Sequence, residues 1–194
     1  MSQINVYLNL LEKWLFKKRS NREILKIVTI LFGLSLLNSI LTPLIVSYLK
    51  SENYLADVIY KPDSIYLLNE NLFFALVIYF TGFFFFALVE EIIFRLPILL
   101  FIKRKIKFIY KLILIVLLSI IFSIGHISEE NGILIPIFVQ GLGGILFSFI
   151  FIIAGASQDK YLKALLILTL IHFINNIIAT INVPISALIE IIRY

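Results

Sequence analysis

Long apolar runs separated by polar connections, some basic and some acidic, dominate the chain. A bilayer core requires about 20 apolar residues per helix, and that length is the measure for each run. Residues 24–49 form the first, and residues 72–102 the second, interrupted only by Glu90, Glu91 and Arg95. The third extends from Leu112 to about His126, the fourth over residues 133–154, and the fifth from Tyr161 to about Ala179. Residues 185–192, behind Pro184, are too few to cross unaided and read as a partial or re-entrant helix. The pattern predicts an all-α fold, a polytopic membrane helical bundle of about five to six transmembrane helices.

Ahead of the first run, Ile4, Tyr7, Leu8, Leu11, Trp14 and Leu15 alternate at helical spacing with Glu12, Lys13, Lys17, Lys18 and Arg19. The segment therefore has an apolar and a basic side, as either a helix lying on the membrane surface or an extension of the first span. Residues 1–23 form an N-terminal amphipathic segment and residues 24–194 one membrane domain, which no linker or repeat divides. The first run follows basic residues as a signal peptide would. It is too long for that and lacks an A-x-A-like exit, so it is read as a retained span.

Composition agrees with lipid as the solvent: 61% of residues are hydrophobic, 15% are charged and the mean hydropathy is +1.03. The net charge of +5 sits in short clusters between spans, which fits anionic lipid and topology rather than nucleic acid. The N-terminal segment, the turn at residues 103–111 and the loop with Lys160 and Lys163 hold most of the basic residues. Those connections, and the N-terminus, are expected on the cytoplasmic side of a multi-pass cell-membrane protein. With no cysteine in the chain, disulfides, thiolate metal sites and a cysteine nucleophile are excluded. Ile-, Asn- and Lys-rich usage points to an AT-rich bacterium.

Ionisable side chains inside a span cost several kcal/mol, so Glu90, Glu91 and Arg95 need partners or a polar cavity. Glu91 and Arg95 stand one helical turn apart and can pair, which leaves Glu90 rotated away as the free carboxylate. Both histidines of the chain fall in predicted membrane segments, His126 four residues after Phe122 and His172 four before Asn176. At about 1.5 Å per residue, Glu90 lies roughly 20 Å from Lys103, and His126 roughly 22 Å from Lys111. His172 and Asn176 lie roughly 14 and 20 Å from Lys163, so all four can share one layer. There a carboxylate and an imidazole can activate water as general base, and His172 with Asn176 can supply donors to an oxyanion. Gly141, Gly143 and Gly144 read as a site of close helix packing.

These residues resemble the motifs of the CPBP or Abi membrane proteins, which include CAAX prenyl endopeptidases and bacteriocin-processing or bacteriocin-immunity proteins. The family's E-E-x-x-x-R, F-x-x-x-H and H-x-x-x-N occur here, in order, as Glu90-Glu91 with Arg95, Phe122 with His126, and His172 with Asn176. The run from Phe138 to Gly144 is similar to the family's glycine-bearing helix. The resemblance implies a core at about residues 72–180, with Glu90 and His126 activating water, His172 and Asn176 holding the oxyanion, and Glu91, Arg95 and Phe122 in support. A departure is Leu96-Pro97 after the arginine, where Pro97 is expected to kink the helix or end it.

Family members are often called metalloproteases. No H-E-x-x-H is present, and a zinc ion would have to gather Glu90, His126 and His172 from three helices. The metal-free route accounts for Asn176 and Arg95 more directly and is preferred, with a divalent metal such as zinc as the alternative. The leading expectation is an intramembrane endopeptidase acting on a membrane-embedded peptide or protein, in bacteriocin or pheromone processing or self-immunity. The competing one is a non-catalytic bacteriocin-immunity or scaffold protein of the same fold.

Overall fold

A computed structural model describes residues 3–50, 72–127 and 133–180 of the chain. The connection at residues 51–71, the acidic pair Glu129 and Glu130, and the expected helix at residues 185–192 lie outside the described residues. Those described form helices α1 (Gln3–Phe16), α2 (Asn21–Lys50), α3 (Leu72–Ile102), α4 (Phe108–Ile124), α5 (Leu142–Ile153) and α6 (Tyr161–Thr180). They contain no strand, and the fold is an all-α membrane helical bundle.

The N-terminal segment is a helix in its own right rather than an extension of α2. The reason is local: Ser20 and Glu23 form a capping box that starts α2 afresh. The Glu23 carboxylate accepts from the Ser20 backbone N–H at 2.9 Å, and Ser20 Oγ accepts from the Glu23 N–H at 3.3 Å. α1 then docks by its C-terminal half, with Leu15 fully buried and Phe16 edge-on to Phe108 at 6.3 Å. Ile4, Tyr7 and Leu10 stay exposed.

α5 is the central helix, packed against α1, α2, α4 and α6 and apolar on every side, as a helix without a solvent face must be. Its approach to α4 depends on Gly144, where a Cβ would stand 3.0 Å from Ser119 Oγ and 3.3 Å from Ser119 Cα. Small residues at such a crossing let two backbones close up and gain dispersion contacts, the driving force left when lipid is as apolar as the side chains. The outer faces carry Phe85, Phe86, Ile93, Leu117, Ile120 and Ile124 in exposed positions, the surface a lipid-facing bundle presents. Among the described residues, three stretches are long and apolar enough to cross a membrane: Asn21–Thr42, Pro136–Gln158 and Tyr161–Ile178.

α3 covers the whole of the second run with Pro97 inside it, so of the two expectations for that residue the helix does not end there; proline forfeits one hydrogen bond, and the turns on either side remain helical. Two boundaries differ from the runs. The helix of the third run starts earlier, at Phe108, and closes at Gly125 after 17 residues, so His126 stands in the turn beyond α4. The fourth run begins as a widened π-turn, Pro136–Gly141, before α5.

The three basic connections meet at one end of the bundle. Lys103 pairs with Asp159 at 2.6 Å, Lys163 bonds Asn21 at 2.9 Å, and Lys111 lies 5.0 Å from the centre of the Phe16 ring. The polar site occupies the bundle interior away from them.

Candidate active site

Adjacent carboxylates on α3 point about 100° apart around the helix, and the bundle treats them differently. Glu91 is 1% exposed, and its Oε2 accepts from Arg95 Nε at 2.7 Å. Its other oxygen, Oε1, accepts from His172 Nδ1–H of α6 at 2.7 Å. Arg95, equally buried, donates in turn to Ser148 Oγ at 3.0 Å, and the Ser148 hydroxyl donates to the Gly144 carbonyl at 2.8 Å. The buried charges are thus paired and hydrogen-bonded within one network spanning α3, α5 and α6, the condition on which buried ions are tolerated.

Glu90 is 28% exposed and stands between the two imidazoles. Its Oε1 lies 3.8 Å from His126 Nε2, and its Oε2 lies 3.5 Å from His172 Nε2. Both rings are oriented by their other nitrogen. His172 Nδ1–H is held by Glu91, and His126 Nδ1–H donates to the Phe122 carbonyl at 2.8 Å. That carbonyl is among the last of α4, where helical partners run out, so the turn past the helix uses the imidazole as its cap. In each case Nε2 is the atom left to meet Glu90 or a substrate.

Aromatic rings close the layer. Phe122 lies 4.5 Å from the His126 ring and 6.0 Å from that of His172, Phe147 lies 5.2 Å from His172, and Phe94 backs Phe122 at 5.0 Å. These rings exclude water and lower the local dielectric, which strengthens every polar contact between them. On the open side a cavity of about 390 Å³ is lined by His126, His172, Asn176 and Phe122 of the predicted site, with Phe147, Ser35, Ser39, Gln140 and Asn175.

The structure therefore brings together Glu90, Glu91, Arg95, Phe122, His126, His172 and Asn176. Sequence reasoning missed Ser148, the bond from His172 to Glu91, and the wall contributed by α2. A signal for that wall was visible in Ser35, Asn38 and Ser39, polar residues recurring at helical spacing inside an apolar run. Ser148 and Gln140 are the polar side chains of the fourth run, but nothing local says which neighbour they meet.

The zinc alternative can be tested on the donor set. Among the described residues no three His, Asp or Glu side chains group as metal ligands. The two Glu90 oxygens lie 3.8 and 3.5 Å from the Nε2 atoms of His126 and His172. The reaction steps are therefore written on Glu90, His126, His172 and Asn176, and the chelator arm of the activity test decides between them and the zinc alternative.

The fold and site together define a helical membrane protein with a carboxylate and two imidazoles gathered inside its bundle. The comparisons with known proteins narrow this. A family model described as type II CAAX prenyl endopeptidase Rce1-like matches residues 71–178, more than half of the chain, and the chain belongs to that family. It is the family of CAAX-type membrane proteases to which the CPBP or Abi motifs pointed. No curated protein matches the chain, and no solved structure does.

Proposed function

We propose that the chain is an intramembrane endopeptidase that hydrolyses a peptide bond of a membrane-associated peptide or protein with water activated by Glu90 and His126. The observation that carries this reading is the division of labour between neighbouring carboxylates. Glu91 is spent on Arg95 and His172, whereas Glu90 faces two oriented imidazole nitrogens beside a cavity.

A water held by Glu90 and His126 gives a proton to the Glu90 carboxylate as its oxygen bonds to the scissile carbonyl carbon. The resulting oxyanion is met by the Asn176 amide and by His172 Nε2 when that atom carries a proton. Glu90 then returns its proton to the departing amine nitrogen, the C–N bond breaks, and a carboxylate and an amine leave. A positioned general base contributes about 10²–10⁴-fold to such a reaction. The cytoplasm lies at the end where the three basic connections meet, by the charge rule for membrane proteins. In a bacterium the fitting substrates are peptide pheromones or bacteriocins, in processing or self-immunity.

The test is cleavage of a labelled membrane-peptide library by the purified protein, comparing wild type with Glu90→Gln and His126→Ala, with and without a chelator. Turnover by wild type that survives chelation and is lost in both variants is the expected result. Loss on chelation would overturn the metal-free mechanism. No turnover from well-folded wild type would overturn the protease reading in favour of an immunity or scaffold role.

A further inference from the structure

A peptide bond inside a bilayer protein is presented to a site only after the substrate's own helix has been unwound. Unwinding frees backbone N–H and C=O groups in a place with little water, and each must find a partner. The site needs polar groups beyond those that act on the scissile bond.

Among the described residues three buried side-chain oxygens have no hydrogen-bond partner: Gln140 Oε1, Thr169 Oγ1 and Asn175 Oδ1. Gln140 and Asn175 line the cavity that His126 and His172 also line. Asn175 is three residues beyond His172, on the same face of α6. Gln140 lies in the π-turn Pro136–Gly141, a kind of bulge frequent at functional sites because it re-aims the side chains that follow. That turn is pinned from α2, where Asn38 Nδ2 donates to the carbonyls of Phe138 and Val139 at 2.9 and 3.3 Å. An unsatisfied buried amide oxygen costs stability, and leucine at the same position would not. Two such costs on the walls of one cavity fit a role in binding.

Resting on the protease reading above, we propose that Gln140 and Asn175 form a backbone clamp, their amides turning to bring oxygens that are buried in the free protein onto N–H groups of an unwound substrate peptide beside the scissile bond. An amide group can rotate to exchange its oxygen and NH₂, so the same pair can serve a substrate carbonyl. The clamp reads the main chain and leaves side-chain choice to the apolar walls, which makes extended hydrophobic peptides the ligand class.

The probe is a library of fluorescent membrane-soluble peptides, each offered unmodified and with single backbone N-methyl groups. Binding is read on the Glu90→Gln protein and turnover on the otherwise native enzyme. Gln140→Leu and Asn175→Leu are each expected to weaken binding and raise KM about tenfold, with kcat within about threefold of wild type and thermal stability equal or higher. One N-methyl position should cost wild type about tenfold in affinity and cost one leucine variant nothing, because the lost bond is then absent already. Gln140→Met and Asn175→Met give the same test should a leucine variant fold poorly.

Equal binding by variant and wild type, or an N-methyl penalty that persists in both variants, overturns the clamp. Peptides that bind but are never cleaved overturn the protease reading while the binding arm still decides the clamp. No binding by any member overturns both.

Discussion

Glu90 and Glu91 are neighbours in the chain and differ in nearly everything the fold does with them. One side of α3 is closed: Glu91, Arg95, Ser148 and His172 Nδ1 hydrogen-bond one another at distances of 2.7–3.0 Å. The other is open: Glu90 stands 3.5 and 3.8 Å from two imidazole nitrogens, too far for a direct hydrogen bond. The closed side answers the cost of charge in a membrane, and the open side leaves a carboxylate uncommitted. His172 belongs to both, since Nδ1 is fixed by the closed side and Nε2 faces the open one. The structural network thereby sets the orientation of a ring the chemistry would use.

The sharpest break in this comparison is Glu90→Gln, expected to lower turnover by about 10²–10⁴-fold with little change in melting temperature. Paired measurements of kcat and thermal unfolding in detergent check it, and a fall in stability equal to that of a closed-side variant would erase the distinction. Next comes Arg95→Met, which leaves Glu91 without its cation and should cost about 3–5 kcal/mol of stability. Adding Glu91→Gln should restore much of that stability but not the activity, because His172 loses its anionic anchor; recovery of both would show that the anchor is irrelevant.

A smaller effect is expected from Gly144→Ala. The added methyl meets Ser119, including its backbone Cα at 3.3 Å, and should cost about 1–3 kcal/mol as α4 and α5 are forced apart. Because the Gly144 carbonyl accepts from Ser148, the closed side should loosen with it, visible as faster amide exchange in α5. The smallest change is Ser20→Ala, which removes a helix cap far from both sides and should cost about 0.5–2 kcal/mol while kcat and KM stay at wild-type values. A change in KM there would mean that α1 and α2 couple to the cavity.

Much of the helical layout was legible because the evidence for a membrane helix is local: about 20 apolar residues between polar ends. The pairing of Glu91 with Arg95 was legible for the same reason, as four residues make one helical turn. Boundaries failed where competing local signals meet. Gly125 closed α4 before His126, and Pro136 began a π-turn inside a run that reads as uniform.

By itself, then, the sequence determined an all-helical membrane protein, the order of its helices, the i,i+4 ion pair, and the residue types for carboxylate–imidazole chemistry. Tertiary structure decided which carboxylate stays open, which nitrogen of each imidazole is spent, and that Gln140 and Asn175 share a cavity with both rings. His172 and Glu91 are 81 positions apart, and their 2.7 Å bond depends on the rotation of α6 against α3. That rotation is fixed where α6 packs directly on α3 and where α5 packs against α6, contacts that the spacing of residues along one helix does not announce. Local chemistry writes the helices; the crossing of helices assigns each polar side chain its partner.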